Sequence, residues 1–296
     1  MVTKMAQTKS GTGWKAIAGP VIAAGMFVLA AVPAGATAAV GPAESERDAS
    51  AVSADYTVYI GGFKAAEGTI RATLNDDAYD LQSFLGVAGV PKNFFDAKWT
   101  MESEGRIDNA RPQPGRFTFH SDEGGKIKYR EMTYDATGRP EMTFDPPLRP
   151  NEKIHVLPHE RQNTLDPISA LLVPVVAGNN PCDRTLAIFD GKRRYDLRLA
   201  FDREGTVTTR DKGYSGEAIR CSVQMAPRSG MRQTSFIRML QQRDNAHIWL
   251  APVNGGSIYI PVRIQVRTPI GGAIMDIVKL RQHAANGTAA KTAAAK

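Results

Sequence analysis

The chain has 296 residues, of which 42% are hydrophobic and 23% are charged, and its formal net charge is +7. The apolar fraction is ordinary for a globular protein, so the chain can bury a sizeable core, and we expect one large domain rather than two small ones. Removal of a signal peptide, described next, lowers this charge to +4, which is too mild to argue for nucleic acid as a partner but allows a weak attraction to anionic lipid head groups.

Residues 1–36 have the pattern of a Sec signal peptide. Three lysines and no acidic residue precede an apolar run over residues 16–32, and small residues follow the run up to Ala36. We expect cleavage between Ala36 and Thr37, with Ala39 as an alternative site, which lowers the net charge to +4. An uncleaved anchor is the competing interpretation, but the run has only about 17 residues, whereas a membrane span needs about 20. Since no Cys follows the run, we expect a soluble periplasmic protein that is neither a lipoprotein nor an integral membrane protein.

The two ends of the remaining chain lack hydrophobic periodicity. Residues 37–54 are rich in Ala, Ser and Glu and predict a flexible leader, while residues 283–296 are mainly Ala, Thr and Lys and predict a disordered tail. The β-rich envelope domain is therefore expected over residues 55–282.

Period-two alternation dominates this domain and predicts antiparallel strands. In the best run, residues 195–202, Phe201 belongs to the apolar face and Asp196 to the polar face. A second run covers residues 258–267, where Pro261 predicts a sheet edge or a bulge. Turns rich in glycine separate these strands from weaker runs at residues 56–60, 69–74, 98–107, 116–120, 126–134, 185–189 and 218–225.

Long strands with one apolar face predict a mainly β protein with a single curled antiparallel sheet. We expect a half-barrel or open barrel whose concave face is plugged or covered by one or two short helices. Thr164 is a candidate cap for a helix over residues 164–178, which Pro174 should kink or end early. Residues 235–242 predict a second short helix, and residues 78–90 are ambiguous between strand and helix.

Cys182 and Cys221 are the only cysteines, and in an exported protein they predict one disulfide. The alternative is a pair of buried thiols. A bond that closes so long a loop should stabilise the fold by about 3 to 4 kcal/mol on the chain-entropy model. Neither residue lies in a C-x-x-C motif, so redox catalysis is not expected.

No catalytic, metal-binding or cofactor-binding set emerges, and we expect a protein without enzymatic activity or cofactor. His155 and His159 have the spacing of a helical metal pair, but Pro158 lies between them in an extended context. Residues 213–216 resemble a nucleophile elbow, yet Glu217 occupies the position that requires glycine.

Three segments together resemble a known family, namely Phe144–Leu148, Thr164–Leu171 and Phe189–Tyr195. They are similar to the proteobacterial envelope family described as domain of unknown function 3108, over roughly residues 55–201 of this chain. The most specific part combines two motifs, whose residues are Asp166, Pro167, Ser169 and Leu171, and then Asp190 and Gly191. The resemblance implies an envelope-associated protein with a curled sheet, similar in fold style to the lipoprotein carriers LolA and LolB, and it carries over no catalytic residue. In this picture residues 164–173 lie across the mouth or the concave face of the sheet.

Two functions follow as hypotheses. In the first, the protein supports the cell envelope by holding a lipid or an acylated protein against the concave apolar face. In the second, it is a structural or interaction module with a filled core that binds another envelope protein. An envelope hydrolase is a third class, but it would need a convergent polar cluster in a cleft. The first hypothesis requires an open, apolar interior of the sheet, whereas the second requires a filled one.

Overall fold

The computed structural model describes residues 49–75 and 77–283. The predicted signal peptide with its Ala36–Thr37 cleavage site, most of the predicted leader and the tail beyond His283 lie outside the described residues. The strands are β1 (Ser50–Ile60), β2 (Phe63–Asn75), β3 (Ala78–Val87), β4 (Ala97–Asp108), β5 (Arg111–Glu123), β6 (Lys126–Tyr134), β7 (Pro140–Asp145), β8 (Val173–Pro174), β9 (Arg184–Phe189), β10 (Arg194–Thr208), β11 (Ser215–Ser229), β12 (Ala246–Val253), β13 (Ile258–Thr268) and β14 (Gly271–His283). The helices are α1 (Pro158–Arg161) and α2 (Ser235–Leu240), and short 3-10 turns cover Val90–Asn93, Ser169–Leu171, Arg210–Lys212 and Asn254–Gly256.

All the strands belong to one antiparallel sheet that does not close on itself. Its order is β7-β6-β5-β4-β3-β2-β1-β14-β13-β12-β11-β10-β9, and β8 adds a short pair with β13. The first and last strands, β1 and β14, are therefore central neighbours, and the chain forms a meander on each side of them. The two edges, β7 and β9, are joined by the connection over residues 146–183.

The sheet is strongly curled. Met132 on β6 and Val253 on β12 belong to one buried cluster, although the sheet order separates their strands by eight steps. In a flat sheet that separation would be about 40 Å, because neighbouring strands lie about 4.8 Å apart. The concave face thus encloses the main core, and the predicted fold class is confirmed.

The predicted boundary of the leader is wrong at its C-terminal end. Residues 50–54 begin β1, where Val52 and Ala54 are buried and pair with both β2 and β14. Small side chains on the other face of this run hid its alternation. Residues 78–87, which were ambiguous, form β3 because they alternate between two long strands.

The predicted faces of β10 hold only in part. Leu199 is buried, but Phe201 is 43% exposed and Asp196 is 3% exposed. Register shifts after Arg194 and after Phe201 rotate the strand relative to β11. Asp196 tolerates burial because it accepts hydrogen bonds from Arg194 and Arg228.

The second prominent run forms β13, and its proline sits beside an irregularity as predicted. Pro261 pairs with Leu250 next to a register shift between β12 and β13. Pairing of β13 with β14 begins only at Arg263, so Pro261 interrupts no ladder bond on that side. Its free carbonyl accepts a hydrogen bond of 2.8 Å from the Tyr56 hydroxyl.

Of the two predicted helices, one is confirmed and one is wrong. The helix α2 begins after Thr234, whose hydroxyl accepts a hydrogen bond from the Ile237 N–H. Residues 164–178 form only the 3-10 turn Ser169–Leu171 and then strand β8. The backbone does not form a helix there because it bonds to β9 instead and because a buried carboxylate caps the short turn. Pro174, which lacks an N–H, lies in the strand that follows. No helix within residues 49–75 and 77–283 is long and apolar enough to span a bilayer.

Candidate functional site

Residues 163–175 form a strap that crosses the opening between the two sheet edges. At its start, the Asn163 N–H donates to the Gly138 carbonyl beside β7. Two residues later, the Leu165 N–H donates to Ala187 of β9 at 2.7 Å. The Phe189 N–H donates back to the Leu165 carbonyl at 2.9 Å, which makes a single parallel bridge. The strap therefore contacts both edges of the unclosed sheet.

A buried carboxylate anchors the strap to the concave face. Asp166 Oδ1 accepts the backbone N–H groups of Ile168 and Ser169, at 3.0 and 2.9 Å. Its Oδ2 accepts the hydroxyls of Ser169 at 2.6 Å and Ser103 of β4 at 2.8 Å. The Ser169 hydroxyl also lies 2.9 Å from the hydroxyl of Tyr79 on β3. One side chain thus caps the 3-10 turn and binds the strap to two strands.

The local sequence explains this geometry. Pro167 presets the backbone of the residue after Asp166, so that the next two N–H groups turn toward the carboxylate. Ser169 must follow at the third position because its N–H and hydroxyl both donate to Asp166. The conspicuous Asp-Pro-x-Ser motif is therefore an anchor of the fold.

Burial governs the electrostatics of this anchor. Asp166 is fully buried, which raises the pKa of its carboxyl, and the hydrogen bonds from Ser169, Ser103 and Ile168 oppose that rise. Burial and the nearby Asp166 also raise the pKa of Tyr79. The hydroxyl of Tyr134, whose pKa burial raises further, finds no hydrogen-bond partner among the described residues. In this cluster the Asp166 carboxylate is therefore fully hydrogen-bonded, whereas the Tyr134 hydroxyl is not.

Apolar residues of the strap fill the sheet interior. Ile168 and Leu172 are 1% and 3% exposed and belong to the main core cluster. Leu171 lines the space that remains beneath them, which is an apolar cavity of about 20 Å³. An apolar cavity that admits benzene measures about 150 Å³. Within the described residues, the apolar space beneath the strap is therefore filled.

The second motif, Asp190 and Gly191, lies in the connection after β9 and contacts the other side of the gap between the sheet edges. The Asp190-Gly191 pair lies between two alternating runs, which is typical of a hairpin with a type I′ turn. A hairpin does join β9 and β10 there, but of these two residues only Gly191 has a positive φ, of 88°, so the turn is not of type I′. Asp190 Oδ1 accepts the N–H groups of Lys192 and Arg193 and thereby shapes the turn. A Cβ on Gly191 would lie 2.5 Å from Cδ of Arg130.

Arg130 of β6 receives this turn. Its guanidinium lies 4.6 Å from the centre of the Phe119 ring and 4.0 Å from the Asp190 carboxylate. Burial lowers the pKa of Arg130, and Asp190 partly offsets that effect. The turn and β6 thus pack together across the opening of the sheet.

The predicted disulfide is confirmed. Cys182 and Cys221 are joined, with their Cα atoms 5.7 Å apart, and both are buried. The bond ties the connection that follows the strap to β11. The two motifs around Asp166 and Asp190 therefore serve one region, the gap between the sheet edges, and the disulfide fixes the connection next to it.

This region has the chemistry of an anchor. Asp166 and Ser169 are 0% exposed, so their groups do not meet solvent. No group of three His, Cys, Asp or Glu side chains that could hold a metal ion occurs in the described ranges. Sequence analysis missed Ser103, Tyr79 and Arg130, whose roles depend on contacts between distant strands. The only sequence signal for Ser103 was a small polar residue in a long strand.

The sequence profile of the family described as "Protein of unknown function (DUF3108)" matches residues 55–278, further than the resemblance had indicated. Among solved structures, the chain is similar to a beta-barrel-like protein of domain of unknown function DUF1849 from Brucella abortus. The identity is 10%, the TM-score is 0.44, and the alignment covers 81% of this chain and 99% of that chain. No curated protein has a sequence that matches this chain.

Proposed function

The chain belongs to the DUF3108 family of proteins of unknown function, and we propose that it is a non-enzymatic periplasmic module that supports the cell envelope through contacts on its outer surface. The filled interior carries this proposal. Strap residues Ile168 and Leu172 occupy the space where an enclosed ligand would lie, and Asp166 fastens them there. The disulfide and the signal-peptide pattern support an oxidising compartment.

A carrier of a lipid or acylated ligand is the second candidate. It is favoured by the lining of the small cavity, where Ile70, Leu81 and Ile260 face the strap with Val52 and Ala72 nearby. If the strap moved outward, these side chains would form an apolar channel, and each buried methylene of a ligand would contribute about 0.8 kcal/mol. That movement would break the hydrogen bonds of Asp166, so we rank this function second.

Native mass spectrometry of the protein from its own host separates the two candidates. We expect the mass of the processed chain with its disulfide and no adduct. A stoichiometric acyl adduct would reject the outer-surface module in favour of the carrier. In parallel, a fluorescent fatty acid should show no saturable binding to the wild-type protein.

The variant Ile168→Ala provides the positive control for that probe. It removes buried volume beside the existing cavity, at a loss of stability of about 2 to 5 kcal/mol. Leu171→Ala, at a less buried position that lines the same cavity, is the milder variant. Probe binding to either variant, but not to the wild type, would support a filled interior, whereas equal binding to all three would contradict it.

A further inference from the structure

One end of the sheet carries an unusual number of exposed apolar side chains. In an antiparallel meander every second connection lies at the same end, so the β13–β14, β1–β2, β3–β4 and β5–β6 connections are neighbours. Backbone hydrogen bonds join them, from the Gly61 N–H to the Gly272 carbonyl and from the Gly124 N–H to the Asp96 carbonyl. Of the eleven large hydrophobic residues that are exposed among the described residues, six lie on or next to these four connections: Phe63, Val90, Phe94, Phe95, Ile127 and Ile270. We call these six residues the apolar end.

The exposure of these side chains is large. Phe94 is 87% exposed, Ile270 78% and Phe63 69%. With about 150–250 Å² for each aromatic side chain, the six residues together expose roughly 700 Å² of mainly apolar surface, divided among four neighbouring connections. Such a surface indicates an apolar contact in the working state of the protein.

The opposite end of the same sheet is the internal comparison. Three of its connections, at residues 108–111, 135–139 and 254–257, consist of polar residues, Gly and Ala, and the β10–β11 connection adds one aromatic residue, Tyr214, which is only partly exposed. Turn positions usually carry such residues, because Asn, Asp, Ser and Gly suit tight turns. The phenylalanines at the apolar end are therefore a property of that end and not of hairpin turns in general.

The charges around the apolar end favour a lipid surface as the occupant. Lys92, Lys98 and Lys126 are exposed and form no ion pair with the described residues. On the same connections, the Asp122 carboxylate accepts the Gly125 N–H, and the Asp96 carboxylate is exposed. Unpaired lysines beside aromatic tips match the head-group layer of an anionic bilayer, where the tips can enter the acyl boundary.

We propose that this protein docks on an anionic lipid surface by inserting the apolar end into the interface. The proposal rests on the outer-surface function and names its partner. Phe94 and Ile270 enter first because they are the most exposed, and the lysines contact the phosphates. The packed interior stays closed throughout, so docking requires no movement of the strap.

Vesicle sedimentation tests the proposal. The sample is the chain from Thr37 onward, which contains every described residue and lacks the apolar run over residues 16–32, since that run would bind lipid itself. We expect binding to phosphatidylcholine vesicles with about one-third phosphatidylglycerol, and a loss of about tenfold in the partition coefficient for Phe94→Ser/Ile270→Ser. Val176→Ser/Phe201→Ser removes exposed apolar side chains away from this end and should bind like the wild type.

A depth measurement adds a positional readout. In a Trp99→Phe/Trp249→Phe background, which removes the two native tryptophans of this sample, the tryptophan placed by Phe94→Trp should be quenched by brominated lipids, whereas the tryptophan placed by Val176→Trp should not. Wild-type protein that stays in the supernatant with every vesicle composition would overturn the proposal, as would equal losses in both double variants. Self-association that depends on Phe94 would also overturn it and would assign the apolar end to a second copy. An acyl adduct in native mass spectrometry rejects the outer-surface function separately, because that measurement uses no vesicles.

Discussion

The Asp166 carboxylate accepts a hydrogen bond of 2.8 Å from the Ser103 hydroxyl, across 63 positions of the sequence. This contact fastens the strap to β4 in the middle of the concave face. It is buried on both sides and shares its acceptor with Ser169. The filled state of the interior therefore depends on a polar contact as well as on apolar packing.

Replacing Asp166 tests this dependence. Asp166→Ala leaves two N–H groups and two hydroxyls buried without their acceptor, and we expect a loss of about 3 kcal/mol or more in the free energy of unfolding. Asp166→Asn keeps one oxygen for the backbone donors, and its amide can donate to the two serine hydroxyls, so about 1 kcal/mol is expected. Urea denaturation measures both, and equal losses in the two variants would contradict the assigned contacts.

The raised pKa of Asp166 predicts a pH dependence with a definite sign. The folded state holds the proton at higher pH than the unfolded state, so the Asp166 contribution is fully present below the unfolded pKa, about 3.9. It is lost as the pH rises through the folded pKa. The difference in unfolding free energy, wild type minus Asp166→Asn, should therefore fall as the pH rises from about 4 toward neutrality. A difference that rises over this window would show that the hydrogen bonds outweigh burial.

Ser103 and Ser83 form a matched pair of buried hydroxyls. Ser103 donates to Asp166, whereas the Ser83 hydroxyl has no hydrogen-bond partner within residues 49–75 and 77–283. Ser103→Ala should lower the free energy of unfolding by about 1 to 2 kcal/mol, because the bond to a charged group is lost. Ser83→Ala should be neutral or stabilising, since it removes an unsatisfied group. Urea denaturation of the two variants measures both changes. An equal loss of stability in Ser83→Ala and Ser103→Ala would contradict the assigned hydrogen bond between Ser103 and Asp166.

Alanine variants of Gly191 and Gly125 distinguish the cost of backbone strain from the cost of disturbed packing across the gap. Both have positive φ, of 88° and 81°, but only Gly191 faces a neighbour, namely Arg130. Gly125→Ala should cost about 1 kcal/mol from strain alone, and Gly191→Ala about 2 to 3 kcal/mol, because Arg130 must also move. Combining Gly191→Ala with Arg130→Ala should give a cost below the sum of the single variants, and strict additivity in this double-mutant cycle would argue against the contact.

The disulfide should contribute measurably to stability. A double variant, Cys182→Ala/Cys221→Ala, should lose about 3 to 4 kcal/mol of unfolding free energy on the chain-entropy model. The two cysteines are 39 positions apart, so the bond constrains a long loop of the unfolded chain. Wild-type protein measured after reduction is the control, and it should match the double variant. Unchanged midpoints under both treatments would contradict the prediction.

The sequence by itself determined the elements that depend on local pattern. Alternation along residues 258–267 predicted β13, and glycine-rich turns marked the hairpins. The two cysteines predicted their bond, and the motifs around Asp166 and Asp190 indicated the family. Long one-faced strands also predicted a single curled sheet, because such a surface must bury its apolar side.

Only the tertiary structure decided how the interior is filled. Residues 164–178 have helical spacing, yet Leu165 bonds to β9 and Asp166 to β4, and these distant partners outweigh local propensity. Asp196 and Phe201 exchanged their expected environments because bulges shift the strand register and arginines from other positions cover the carboxylate. The apolar end likewise arises from four connections that are far apart in sequence. Each case has the same physical reason, which is that pairing between distant segments sets burial and no local pattern encodes it.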